Sequence, residues 1–213
     1  MRRALAVDGH SMFYAQQKMG WFFDPRRLLD MAAEGEDLTL SGAFWYAGLK
    51  DPSDQRPFRD ALISLGYTVR TRPLRELTPP SSDVGAGGSE HESRHYLRAN
   101  LDVEIAIDLL LLAHRVDEIW LLSGSRDLER LVEVLRARGV AVLVFSTEGM
   151  LARELRNAAD RFVDLAGLRP CLGKAAASQQ PVFHRGVGTT ALNQARSSGG
   201  TATTMNLAHN HSI

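Results

Sequence analysis

Six short apolar runs, each separated from the next by a longer segment of helical period, organise the first 165 residues of this 213-residue chain. They lie at 4–7, 40–46, 67–72, 118–122, 140–145 and 161–165. Runs that are apolar at successive positions suit strands buried on both faces, and the intervening segments suit crossover helices, which together are the signature of βαβ units. The expected fold is α/β, a parallel sheet of about five strands flanked by helices, with 161–165 as a last short strand. Helices are expected at 25–33, where Pro25 suits a first turn, and at 54–65, closed by Gly66. Others are expected at 100–114, at 127–138 stopped by Gly139, and at 150–159.

Two segments carry no such period. Residues 78–93, TPPSSDVGAGGSEHES, are rich in Pro, Gly and Ser and are expected to form a long flexible surface loop. From 172 onward Ala, Ser, Thr, Gly, Gln and Asn dominate, a composition that buries too little apolar surface to offset the entropy of ordering. The expected organisation is one domain over 1–171 and a low-complexity, disordered tail over 172–213.

Charge sharpens the division. The chain holds 25 basic and 25 acidic residues, so its overall balance does not announce a nucleic-acid partner. The tail, however, has Lys174, Arg185 and Arg196 with no acid, which gives it +3 and the remainder −3. Only Lys18, Lys50 and Lys174 are lysines; arginine suits phosphate and stacked-base contacts, although biased codon usage produces the same excess. Cys171 is the sole cysteine, which excludes an intrachain disulfide and fits a reducing compartment. The apolar run after Arg2 and Arg3 ends at Asp8, too soon for a signal peptide, and no run approaches the roughly 20 apolar residues of a membrane span. A cytoplasmic protein with no membrane partner is expected, and homo-oligomerisation stays open.

In a doubly wound sheet, ligands bind beyond the carboxyl ends of the strands where strand order reverses. Asp8 ends the first strand; Ser123, Ser125 and Asp127 follow the fourth, in LLSGSRDL. Helix capping alone explains such hydroxyls, and a first-turn Asp is favoured by the helix dipole. If the two strands are neighbours, as in the order 3-2-1-4-5, Asp8 and Asp127 converge on one edge. Asp102, opening the long helix that runs antiparallel to the strands, enters the same cleft. Carboxylates so crowded repel one another unless a cation sits between them, and a hard divalent ion with open positions is a frequent solution in phosphodiester hydrolysis. Asp108 lies about 240° further round the helix than Asp102; it either stands beside the site or is buried against a backbone amide or an arginine. Phe13, Tyr14, Trp21, Phe22 and Phe23 either pack a helix on the sheet or stack on bases.

These residues carry a resemblance. Val7-Asp8-Gly9, 98–103 (RANLDV) with Asp108, 123–127 (SGSRD) and 151–160 (LARELRNAAD) together resemble the NYN domain, a family of PIN-like nucleases, over about residues 3–166. The resemblance implies a Rossmann-like PIN fold, an Mg²⁺ or Mn²⁺ site and hydrolysis of RNA. It assigns Asp8, Asp102 and Asp127 as catalytic and metal-binding residues, with Ser11, Ser123, Ser125 and Asp108 auxiliary and Arg98 and Arg126 on the RNA backbone. Three positions depart from the family pattern: Ser125 stands for an Asp, Ser11 for an Asn and Arg98 for a Lys. The expected function is a divalent-metal-dependent ribonuclease. The alternative is a catalytically weakened, RNA-binding or regulatory PIN-like protein; a phosphatase with a nucleophilic aspartate is disfavoured because His10 stands where a second acid belongs.

Overall fold

A computed structural model describes residues 1–49, 55–77, 96–98 and 100–174, with backbone only at 75–77 and 96–98. The expected loop at 78–93 and the tail beyond 174 lie outside the described residues. In chain order the elements are β1 (Arg2–Asp8), α1 (Gly9–Met19), α2 (Pro25–Ala33), β2 (Thr39–Leu49), α3 (Arg56–Ser64), β3 (Thr68–Pro73), β4 (Arg75–Leu77) and β5 (Tyr96–Arg98). Then follow α4 (Asp102–Leu112), β6 (Glu118–Leu122), α5 (Glu129–Ala137), β7 (Ala141–Ser146), α6 (Arg153–Ala158), β8 (Arg161–Asp164) and α7 (Arg169–Leu172).

The main sheet has six parallel strands in the order β3-β2-β1-β6-β7-β8. A separate antiparallel pair, β4 with β5, was not expected from the sequence. The central strands β1, β6 and β7 are buried or half-buried on both faces, as their apolar runs require, whereas the edge strands β3 and β8 are largely exposed or half-buried. Along β1, Ala4 and Ala6 face one layer with α4, α5 and α6, while Leu5 and Val7 face the other with α1, α2, α3 and α7. Every element expected from periodicity is present, with ends shifted by a few residues. The 126–138 stretch opens as a 3₁₀ turn, Arg126–Leu128, before α5 begins.

Two corrections concern helices. α1 was not expected, because its buried positions include Gln16, a polar residue that interrupts the apolar period. Gln16 is satisfied inside the core: its amide donates to the Met12 carbonyl at 3.0 Å and its oxygen accepts from the Phe23 N–H at 3.0 Å. The second correction moves the domain end. The boundary expected at 171 cuts α7, whose Leu172 is fully buried. The Leu172 carbonyl accepts from the Asp24 N–H, and the Lys174 N–H donates to Phe22, so packing continues through Lys174.

The aromatic cluster after β1 is mostly packing. Phe13, Trp21 and Phe23 are buried, and only Tyr14 is largely exposed. Trp120 is half-buried under the Arg3 guanidinium, 4.2 Å from its ring centre. No helix among the described residues is long and apolar enough to cross a membrane.

Candidate active site

Strand order reverses between β1 and β6, the place where a doubly wound sheet opens a crevice. Val7 lies opposite Leu122, so the next residues, Asp8 and Ser123, emerge side by side at the carboxyl edge. The Ser123 hydroxyl donates to Asp8 Oδ2 at 2.7 Å, and the Ser11 N–H donates to Asp8 Oδ1 at 3.1 Å. Asp8 is therefore also the N-cap of α1, an anion at a helix amino end. Both of these groups are neutral donors. Burial pushes the Asp8 carboxyl above the usual range, against the opposing pull of Ser11, Ser123 and the charge of His10.

Serines bind this edge together. The Ser11 hydroxyl accepts from the Gly124 N–H at 2.8 Å, tying α1 to the turn after β6. Ser123 accepts from the Ser125 N–H at 3.1 Å, and Ser125 accepts from the Asp127 N–H at 3.3 Å, capping the 3₁₀ turn. The capping explanation of LLSGSRDL thus holds for Ser125, while Ser123 both braces the turn and touches the buried carboxylate. Aspartate caps as well as serine does. Ser125 consequently keeps the cap that an acid there would supply and lacks only its charge.

Two glycines are fixed by close approach. A Cβ on Gly9 would lie 2.6 Å from the Tyr46 carbonyl oxygen and 2.9 Å from Trp45 Nε1. One on Gly124 would collide with the Met150 carbonyl. The chain can turn away from either strand only without a side chain there.

A cleft of about 330 Å³ opens at this edge, and its walls include Asp8, His10, Ser11, Asn100, Asp102 and Ser125. Asp102 is the first residue of α4, and its N–H donates to Asn100 Oδ1 at 2.9 Å. Asp8, Asp102, Ser11 and Ser125 are thus brought together as expected. Asn100 was not among the expected site residues; its signal was its place two residues before Asp102.

The remaining candidates stand elsewhere. Asp127 sits at the same sheet edge on the 3₁₀ turn, with its side chain 46 % exposed, and is absent from the cleft wall. Ser125, two residues earlier, holds the inward position. Among the described residues no three His, Cys, Asp or Glu side chains form a metal-binding cluster. Asp108 is buried against an arginine, one of its two expected settings. It accepts Arg70 Nε at 2.8 Å and Nη2 at 2.7 Å, and the Tyr46 hydroxyl at 3.1 Å. Arg126 is exposed, 4.0 Å from Asp127, and the Arg98 side chain lies outside the described residues.

An all-parallel doubly wound sheet with a buried aspartate at its switch point, faced by a second aspartate from a helix amino end, defines the class as a Rossmann-like nuclease-type domain. The chain belongs to the NYN domain family, whose sequence model matches residues 2–166, and so to the PIN-like nuclease superfamily. Over 173 residues it is 52 % identical to the low amplitude and bright protein LabA of Synechococcus elongatus, covering 81 % of this chain and 88 % of that one. The crystal structure of a Vibrio parahaemolyticus protein of unknown function shares the fold, with a TM-score of 0.58 and 24 % identity over 77 % of this chain and 92 % of that one.

Proposed function

We propose that this protein is a divalent-metal-dependent ribonuclease that hydrolyses RNA phosphodiester bonds in the cleft between β1, β6 and α4. The observation that carries the reading is Asp8: a carboxylate buried at the switch point, held by the Ser11 N–H and the Ser123 hydroxyl and sharing its cleft with Asp102. Such a charge is costly to keep in a fold unless something binds it.

The donor set fits a small hard cation. Aside from His10, the polar groups named in the wall offer oxygen: two carboxylates, two hydroxyls and an amide. Magnesium is commonly held by one or two carboxylates together with waters and substrate phosphate. Asp8 and Asp102 would hold the ion, with Ser11, Ser125 and Asn100 arranging its waters. When bound, it supplies charge neutralisation at the phosphate and a lowered pKa for the attacking water. Ser123 and the Ser11 N–H orient the Asp8 carboxylate, and the α1 amino end adds positive potential. Asp127, on the open side of the edge, acts on substrate or through water. Arg126 and Arg98 contact the RNA backbone, and the exposed Tyr14 ring, edge-on to His10 at 5.2 Å, offers a base a stacking surface.

Ser125 favours one alternative. With a hydroxyl where the family pattern places an acid, and Asp127 outside the wall, the chain would bind RNA in a regulatory role with weakened catalysis. Calorimetric titration of Mn²⁺ into the full chain, beside Asp102→Asn and with RNA cleavage followed in parallel, separates the readings. Saturable binding and cleavage, both lost in the variant, support the nuclease. RNA binding without metal and without cleavage, indifferent to Asp102→Asn, supports the regulatory domain.

A further inference from the structure

α4, DVEIAIDLLLL, carries three charged residues, Asp102, Glu104 and Asp108, in an otherwise apolar sequence. Ile105 and Leu109 are buried against the sheet, while Ile107 and Leu111, equally apolar, are 52 % and 68 % exposed. An amphipathic helix is held in one rotation because turning it would bury its polar face. On α4 the inward and outward sides are both apolar, and burial has no direction of its own, so burial alone fixes its rotation and slide only weakly. The placing of the helix, and with it of Asp102, needs directional contacts.

β3 supplies them. Arg70 donates to both oxygens of Asp108, from Nε at 2.8 Å and from Nη2 at 2.7 Å, and Arg72 pairs with Glu104. Two residues of a parallel strand span about 6.6 Å and four residues of a helix about 6.0 Å, so arginines at i and i+2 match acids one turn apart on a helix running the other way. The pairs form two rungs between β3 and α4. Tyr46 of β2, fully buried, adds a third contact through its hydroxyl, which donates to Asp108 at 3.1 Å. Its register partners are Arg70 on one side and Asp8 on the other. The clamp thus shares a transverse row of the sheet with the buried carboxylate of the cleft. Asp102 lies about 9 Å further up the helix axis, in the cleft wall, and a slip of one turn, about 5.4 Å, would carry it away.

We propose that Arg70 and Arg72 are positioning residues for the cleft: acting through Asp108 and Glu104, they fix the rotation and slide of α4 and so hold the Asp102 carboxylate in the cleft with Asp8. The inference rests on the reading of Asp8 and Asp102 as the metal ligands. It gives these two cations a role other than holding the RNA backbone, because each already faces a carboxylate, whereas nucleic acid is gripped through cations free to replace its counterions. All three charged residues of α4 are thereby accounted for, two as anchors and one as the group they place.

Spin labels at Ile63→Cys in α3 and Leu111→Cys in α4, in a Cys171→Ser background of the full chain, read where α4 stands, because both positions are exposed and their helices lie in opposite layers. Double electron–electron resonance should give one narrow distance. Arg70→Met with Arg72→Met should broaden it or shift it by about 5 Å, one helical turn, and Arg72→Met alone should do so to a lesser extent. Exchanging the pair, Arg72→Glu with Glu104→Arg, should restore what Arg72→Glu alone disturbs. Arg130→Met, which removes an ion pair on α5, should change nothing. Circular dichroism checks that each variant folds, and the single Arg72 variant decides the matter if the double one does not. In calorimetry the double variant should raise the Mn²⁺ dissociation constant at least about 10-fold. An unchanged distance in folded variants, or a changed distance with wild-type Mn²⁺ affinity, overturns the proposal. A wild type that binds no Mn²⁺ overturns the metal reading instead, and the distance still decides whether the arginines hold α4.

Discussion

The two ends of the β1–β6 pair bury charge in opposite ways. At the amino end Arg3, only 8 % exposed, meets Glu118 across the strands, its Nε 2.6 Å from Glu118 Oε1 and its Nη1 2.9 Å from the Ala32 carbonyl. Trp120 lies under the guanidinium and donates its indole N–H to the same Glu118 oxygen at 2.9 Å. Charge is matched there by opposite charge. Five residues along β1, Asp8 is equally buried but is held by a backbone N–H and a hydroxyl. The first cluster fixes register and geometry. The second leaves a desolvated carboxylate facing a cleft, the arrangement on which the proposed metal site rests.

The largest effect should come from breaking the matched end. Glu118→Ala strands a buried guanidinium and an indole N–H, and should cost about 3–5 kcal/mol of unfolding free energy. Denaturant midpoints measure it. Asp8→Asn should act with the opposite sign on stability, raising or preserving the midpoint because it removes a desolvated charge, while lowering RNA cleavage by about 100-fold or more. A variant that unfolded more easily and cleaved normally would reverse the assignment of the two ends.

A smaller effect is expected at Ser125. Ser125→Asp keeps the cap on the Asp127 N–H and adds a carboxylate to the cleft wall, so Mn²⁺ affinity by calorimetry should rise about 10-fold with stability changed by only a few tenths of a kcal/mol.

The smallest effect is the pH dependence. Because the folded-state pKa of Asp8 is raised, stability contributed by its protonated form is lost as pH rises from the unfolded carboxylate value through the folded one. Asp117, held down to about 2 by hydrogen bonds from Arg2, behaves conversely: its contribution is present above the ordinary carboxylate value and disappears as pH falls toward about 2. Unfolding free energies of wild type, Asp8→Asn and Asp117→Asn across the acid range, in chelator, should show the two slopes with opposite sign.

How legible these features were depended on how local their causes are. The central strands of the main sheet were readable because a strand buried on both faces must be apolar at successive positions, and the edge strands because short runs between helical segments remained for them. Pro25, Gly66 and Gly139 marked helix limits for equally local reasons. α1 was hidden by Gln16, whose two hydrogen bonds inside the core no spacing rule anticipates. Asp108 could be read only as one of two cases, since the arginine that claims it lies 38 residues away. In α4 the apolar pattern was legible, but the side left facing outward was not.

The sequence by itself determined the alternation of strands and helices, the turn glycines and the small hydroxyls at the carboxyl end of β6, all set by interactions within a few residues. Only the tertiary structure decided which of the acids share a cleft. Asp8 and Ser123 are 115 residues apart and meet because β6 adds beside β1, while Asp102 arrives with the orientation of α4 and Asp127 stays half-exposed on the 3₁₀ turn. Strand order and helix docking are chosen by the fit of whole buried faces, which residue spacing alone does not encode.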